Sequence, residues 1–166
     1  MTFSKSIALC CALLLGSTAA ATSNDFSQPL TITADHSNGD LQTRTLTYSS
    51  NVVIRQGSLQ INADKLALQA GVEGQNQQVF IATGRPATYQ QMMDNGLLAE
   101  AKANEIRYHM DSRELVLKGN AELSQAGSVV KGDTITYNAE KQQLNAKGNA
   151  NQQITTIFLP KTNNER

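Results

Sequence analysis

Apolar and polar residues alternate along most of the chain, and the phase of the alternation changes at fixed places. Leu59 and Ile61 share one parity, Leu66 and Leu68 share the other, and Asp64 lies at the switch. The same switch recurs in residues 101–108 and 130–137. Because strand side chains alternate with a period of two, such a switch indicates an inserted residue or bend that keeps the apolar face inward. The pattern predicts a rolled sheet whose corners need a small residue beside each bend.

The chain is also built from repeats of one unit. Residues 51–56 align with 120–125, and residues 61–68 align with 130–137, without a gap. Each unit reads as strand, turn, strand, turn, with Gly, Asn or Asp in the turns. The repeated corner positions are Asp35, Asp64, Asn104 and Asp133. The sequence therefore predicts an all-β, antiparallel meander of strand-turn-strand units, and the repeat favours a strand over a helix at 99–110.

The N-terminal segment has the order of a secretory signal peptide. Lys5 is followed by apolar residues 7–15 and then by small residues 16–21, which predicts cleavage after Ala21. A membrane-spanning helix needs about 20 apolar residues, so this stretch is too short for an anchor. The predicted division is a signal peptide at 1–21, a single β domain at 22–160 and a short polar tail at 161–166.

Composition and charge exclude several function classes. The 14 Lys and Arg balance 14 Asp and Glu without a run of like charge, which argues against a nucleic-acid partner. Cys10 and Cys11 lie in the predicted signal peptide, and His36 and His109 belong to no spaced ligand cluster, so we expect no metal or other cofactor. The corner carboxylates should share one environment, whereas acid–base catalysis needs two different ones. We expect a hydrogen-bonding role at the corners and no enzyme activity.

Six short strings carry a resemblance to a known family: residues 57–65, 84–88, 94–96, 119–121, 131–137 and 154–157. Taken with their order, their spacing and the signal peptide, they resemble the OstA-like family of periplasmic lipopolysaccharide-transport proteins. The resemblance runs from about residue 28 to residue 160, and it departs from the family at Ser50, where the other units have Gly, and at Asn104, which replaces the corner Asp.

The resemblance implies a slightly twisted, open-ended β-jellyroll that carries lipopolysaccharide through the periplasm from the inner to the outer membrane. It also implies end-to-end stacking with itself and with the jellyroll domains of inner-membrane and outer-membrane transport proteins. We expect the inward-facing row to line the path of the lipid A moiety. Alternation alone does not distinguish an open interior from a packed core, and from the residues alone a secreted glycan-binding or structural β module remains the alternative. The row comprises Ile32, Leu59, Ile61, Leu66, Leu68, Ile106, Tyr108, Leu117, Leu123, Val130, Ile135 and Tyr137.

We expect the protein to associate with itself through the two edge strands of the rolled sheet. The first strand, about 30–34, and the last, about 152–159, are apolar at alternate positions and have no interior lysine. Unpaired N–H and C=O groups on such edges template β-strand addition, which predicts head-to-tail oligomers. The expected edge residues are Leu30, Ile32 and Ala34 on the first strand and Ile154, Thr156 and Phe158 on the last.

Overall fold

The computed structural model describes residues 25–40, 42–69, 78–138 and 140–159. The predicted signal peptide and polar tail lie outside the described residues. A 3-10 turn at Asp25–Ser27 precedes ten strands. The strands are β1 (Thr31–Thr33), β2 (His36–Asp40), β3 (Thr45–Gln56), β4 (Leu59–Gln69), β5 (Val79–Met92), β6 (Leu98–His109), β7 (Glu114–Gln125), β8 (Ser128–Asn138), β9 (Gln143–Lys147) and β10 (Thr155–Ile157).

All ten strands belong to one antiparallel sheet, as the repeat predicts. The sheet runs β1-β3-β4-β5-β6-β7-β8-β10, with β2 also paired to β3 and β9 also paired to β8. Each end therefore carries two short strands that share one long strand. The segment with helical composition, residues 99–110, falls mostly in β6. Its alternate residues are buried, which an amphipathic helix with a 3.6-residue period would not produce.

A line of corners crosses the sheet and divides it into two layers. The register of every long strand pair shifts at its middle, for example between Ser49 and Val52 in β3. On β4, Leu59, Ile61 and Leu66 are buried while Asp64 is exposed, so the predicted parity switch is confirmed. The first layer contains residues 52–63, 87–103 and 121–132 with β1 and β10, and the second contains 45–49, 65–69, 79–83, 105–118 and 134–138 with β2 and β9.

Small residues flank the corners on the inner face of the first layer, as predicted. They let the backbone bend sharply without a large side chain in the angle. At Gly132, for instance, an added Cβ would lie 3.0 Å from the carbonyl oxygen of Lys147. The row contains Val52, Ala63, Ala87, Ala103, Ala121 and Gly132.

The corner side chains form hydrogen bonds, which confirms their predicted structural role at two corners. Asp35 accepts a bond from Asn51 Nδ2, and Asp133 accepts one from Asn149 Nδ2, each at 2.7 Å. At a third corner, Asn104 lies against Gly119, where an added Cβ would be 2.8 Å from Asn104 Nδ2.

The edge strands are shorter than the sequence predicts. The first was expected at about 30–34 and is Thr31–Thr33, and the last was expected at about 152–159 and is Thr155–Ile157. The C-terminal difference has a local cause, because Asn149 and Gln152 close a tight turn by pairing their backbones. That turn leaves only three residues to pair with β8.

The inner faces of both layers meet in one apolar core. Leu66, Ile106, Leu117 and Ile135 have no exposed surface. Burying a side chain of this size contributes about 1.5–3 kcal/mol. The alternation in the sequence fits either an open interior or a packed core. In this conformation the core is packed, because the protein's own side chains fill the interior.

Candidate functional site

The predicted lipid-lining residues all lie on the inner face of the roll. Ile32, Leu68 and Val130 are partly buried and pack against the core. The remaining nine are buried: Leu59, Ile61, Leu66, Ile106, Tyr108, Leu117, Leu123, Ile135 and Tyr137. Neighbours of opposite parity face outward. On the outer face Asn62 Nδ2 donates to Thr88 Oγ1 over 3.1 Å.

Several inner-face residues extend the predicted row. Ile54 pairs with Ile61, Phe80 pairs with Tyr108, and both Ile54 and Phe80 are buried. Alternation alone does not single them out, because Val53 precedes Ile54 and because Val79 and Ile81 flank Phe80. The row therefore continues through every long strand, from β3 at one end of the sheet to β8 at the other.

The inner face becomes polar where the free ends of the two layers meet, and we call this region the mouth seam. The first layer contributes three glutamines and a tyrosine. The second contributes two tyrosines, which lie on either side of Leu115 on neighbouring strands. The seam residues are Gln56, Tyr89, Gln91 and Gln125 of the first layer and Tyr108 and Tyr137 of the second. The interior is thus amphipathic, with aliphatic side chains toward the corners and polar groups at the mouth.

Asp25 closes one part of the mouth seam from the turn that precedes β1. Its carboxylate is 4% exposed and accepts hydrogen bonds from the Ser58 N–H at 2.8 Å, from the Ser58 hydroxyl and from Gln91 Nε2 at 3.0 Å. Tyr89 in turn donates its hydroxyl proton to Gln91 Oε1 at 2.6 Å. Gly57 makes room for this contact, because a Cβ there would lie 2.9 Å from the Asp25 Cα.

Burial raises the pKa values of the three seam tyrosines. The pKa of Tyr89 rises far above its usual range, chiefly through burial and further through the charges of Tyr108, Tyr137 and Asp25. Burial raises the pKa of Tyr108 to about 12, although Arg113 opposes the shift. Burial also raises the pKa of Tyr137. The tyrosines are therefore neutral hydrogen-bond donors at physiological pH.

Two buried polar atoms of the seam have no hydrogen-bond partner among the described residues. They are the Tyr108 hydroxyl and Gln56 Oε1, on side chains of residues only 4% and 5% exposed. The amide nitrogen of Gln56 is satisfied, since it donates to the Gln28 carbonyl oxygen at 3.2 Å. Among the described residues the seam therefore has one hydrogen-bond donor, the Tyr108 hydroxyl, and one acceptor, Gln56 Oε1, that are not paired.

Two cavities bordered by described residues are small. One of about 170 Å³ opens between Leu46, Leu68 and Val79 at the end of the second layer. Another of about 190 Å³ lies at the mouth between Gln125 and Tyr137. Both are smaller than the roughly 300–1,000 Å³ typical of pockets for drug-sized ligands.

A larger depression of about 370 Å³ lies on the outer face of the first layer and does not suit acyl chains. Its floor carries Glu122, which pairs with Lys102 at 3.2 Å and Lys131 at 3.1 Å. Burial alone would raise the pKa of Glu122, but the hydrogen bonds from Lys131 and Lys102 outweigh it and lower the pKa. The depression is thus a polar, ion-paired surface.

The histidines and acidic residues form no candidate metal-binding cluster in the described part of the chain. His36 is exposed on β2, and His109 is half-buried at the end of β6. Across residues 25–40, 42–69, 78–138 and 140–159, no three His, Cys, Asp or Glu side chains are arranged to hold a metal ion. The same residues contain no helix of the length and hydropathy needed to cross a membrane.

These features define a class of protein: an open β-jellyroll with an amphipathic interior and a short edge strand at each end. Residues 31–143, which extend from β1 to the start of β9, match the family described as LptA/(LptD N-terminal domain) LPS transport protein. This match shows that the chain belongs to that family, and the resemblance inferred from the short strings is confirmed.

Individual relatives agree with the family assignment. The chain is 37% identical to the lipopolysaccharide export system protein LptA of Haemophilus influenzae, over 94% of this chain and 91% of that one. It is 36% identical to LptA of Escherichia coli K12, over 95% of this chain and 85% of that one. The crystal structure of LptH, the LptA-homologous periplasmic component of the lipopolysaccharide transport device of Pseudomonas aeruginosa, superposes with a TM-score of 0.73 at 25% identity, covering 82% of this chain and 99% of that one.

Proposed function

We propose that this protein is a non-enzymatic carrier that binds lipopolysaccharide through its lipid A moiety between the two layers of the roll. The observation that carries the proposal is the unbroken inner face, on which apolar side chains continue across every long strand while their neighbours face outward. Membership of a lipopolysaccharide-transport family supports the same cargo. An inner face of this kind suits acyl chains, because water rejects apolar surface at about 25 cal/mol per Å².

The proposed carrier function requires the two layers to separate. Substantial backbone contacts run between sheet neighbours, so the two layers meet mainly through side chains. The corners concentrate the bend in a few positions, such as Gly119 and Asn120, whose φ angles are 75° and 51°. Rotation at this line would open the mouth seam while the ladders on either side stay paired. Acyl chains would then replace the opposite layer as the apolar surface that each layer contacts.

The proposed bridge between the membranes uses the two ends of the sheet. β1 pairs with β3 and β10 pairs with β8, which leaves the outer side of each edge strand for another chain. Leu30, Ile32 and Ala34 pack inward against the core, whereas Ile154 and Phe158 are 47% and 76% exposed. The C-terminal end thus presents apolar surface beyond β10. Strand addition there would join the inner faces of successive copies, and of the jellyroll domains of membrane-bound transport proteins, into one path.

The proposed location is the periplasm, reached through a cleaved signal peptide at 1–21. The order of charge, apolar residues and small residues in that segment supports export. The description of LptH as a periplasmic component supports the compartment.

The test places an aspartate on either face of the same strand. Ile61→Asp and Ile135→Asp bury an unpaired charge on the inner face, whereas Asn62→Asp and Thr136→Asp put the same charge on the outer face. We expect the inner variants to lose lipopolysaccharide binding and export, and the outer variants to keep both. Circular dichroism separates loss of binding from loss of folding. Unimpaired lipopolysaccharide binding by folded inner variants would contradict the proposal.

A further inference from the structure

The two unpartnered polar atoms belong to the two layers of the mouth seam. Gln56 lies beside Gln28 in the first layer, and Tyr108 pairs with Phe80 and Leu115 in the second. Buried polar atoms in folded proteins nearly always have a partner, so each exception calls for an explanation. Within the described residues these are the two exceptions.

The unused groups define the chemistry of a matching ligand. Gln56 Oε1 accepts a hydrogen bond, and the Tyr108 hydroxyl donates one, so the ligand must supply an N–H or O–H together with an acceptor oxygen. An amide linkage has both in one group, and a hydroxylated acyl chain supplies the donor. A plain fatty-acid ester has only acceptors and would leave Gln56 Oε1 unpaired.

The negative charge of Asp25 at the seam also favours an uncharged amide or hydroxyl group as the ligand. The Asp25 carboxylate already takes the Ser58 N–H, the Ser58 hydroxyl and the Gln91 amide. A lipid phosphate beside Asp25 would be repelled by that carboxylate, although the charge of Arg113 also reaches Tyr108. Neutral amide and hydroxyl groups meet no such repulsion.

The position fits an amphipathic ligand whose acyl chains extend toward the corners. The aliphatic residues lie deeper than the seam, and the cavity beside Gln125 and Tyr137 measures about 190 Å³. The seam therefore falls where acyl chains would join their headgroup.

We propose that the mouth seam is a recognition site for the amide linkages and acyl hydroxyls of the bound lipid, with Tyr108 as a binding residue and Gln56 as its specificity-determining residue. The inference rests on the proposed carrier function and deepens it, because it gives a reason for preferring lipid A, an acylated glucosamine, over ester-linked glycerophospholipids.

The experiment uses the full mature protein and two lipid probes, lipid A and dipalmitoyl phosphatidylcholine, which has acceptor oxygens but no N–H or O–H donor. Tyr108→Phe removes the unpartnered hydroxyl and keeps the ring, so the fold should be at least as stable as before. Because an ester oxygen can also accept a hydrogen bond from that hydroxyl, we expect Tyr108→Phe to weaken the binding of both lipids. Gln56→Leu removes the acceptor that only lipid A can use, so we expect about tenfold weaker binding of lipid A and unchanged binding of phosphatidylcholine. Thr136→Val, which removes a hydroxyl from the outer face of β8, is the control and should change neither affinity.

The outcomes separate the two proposals. Unchanged binding of lipid A by Tyr108→Phe, or an unchanged preference for lipid A in Gln56→Leu, would overturn the seam assignment. Failure of the wild-type protein to bind either lipid would instead contradict the carrier function itself.

Discussion

Asn51 donates a hydrogen bond from Nδ2 to Asp35 Oδ2 across the first corner of the sheet, over 2.7 Å. Asn149 makes the equivalent contact with Asp133 at the last corner, also over 2.7 Å. Asn51 has a φ of 53°, in the left-handed region that Asn tolerates better than most residues. The repeated acidic positions thus fix the bend that folds one sheet into two layers.

This arrangement predicts different costs for two substitutions at position 51. Asn51→Ala loses the hydrogen bond, and alanine tolerates the left-handed backbone conformation less well than asparagine does. We therefore expect about 1–2 kcal/mol of destabilisation. Asn51→Gly loses the same hydrogen bond, but glycine adopts the left-handed conformation without strain. The free energy of unfolding should therefore fall by less. Urea unfolding of both variants measures the difference. Equal stability of the two would show that the backbone conformation contributes nothing.

Ser50 should be a site of avoidable strain. Its φ is 64°, and the equivalent residue of the later unit is Gly119, with a φ of 75°. Ser50→Gly removes the left-handed penalty of about 1–2 kcal/mol but adds freedom to the unfolded chain. The expected net gain is about 0.5–1 kcal/mol, seen as a higher Tm. Gly119→Ser is the reciprocal control and should lower it, because its Cβ would also meet Asn104. A lower Tm for Ser50→Gly would contradict this explanation.

The buried tyrosines predict loss of stability in alkali. In the unfolded chain a tyrosine ionises at a pKa of about 10, whereas burial raises the pKa of Tyr108 to about 12. Above pH 10 the unfolded state therefore loses protons first, and the free energy of unfolding falls as the pH rises toward 12. Urea titrations between pH 8 and 12 measure the slope. Tyr108→Phe should flatten it, and an unchanged slope in that variant would assign the effect to other groups.

Removal of the last edge strand should separate assembly from folding. Truncation at Asn151 deletes β10 and the exposed Phe158 and Leu159, but leaves β8 paired with β7 and β9. We expect the truncated protein to fold and bind lipid, and the full-length protein alone to form concentration-dependent head-to-tail rods. Light scattering over a concentration series distinguishes them. Equal monomers at high concentration, or one closed dimer, would contradict strand addition.

The sequence predicts the inner face because that signal is local. Leu59, Ile61 and Leu66 alternate around the corner with the period of a strand, and their burial follows from the pattern alone. Asp25 has no such signal, because its partners Ser58 and Gln91 lie 33 and 66 residues away. The mouth seam was missed for the same reason, since facing tyrosines and glutamines come together only when the layers fold over one another. The edge strands were predicted too long because the turn that closes at Gln152 competes with the sheet for backbone partners.

The most direct measurement is photo-crosslinking of lipopolysaccharide from the two faces of the same strands. Photoreactive residues at Ile61, Leu66 and Ile135 probe the interior, and those at Asn62, Ala67 and Thr136 probe the outer face. If lipid A is carried between the layers, the inner positions capture lipopolysaccharide and the outer ones do not. Equal capture on both faces, or capture confined to the outer face, would contradict the account.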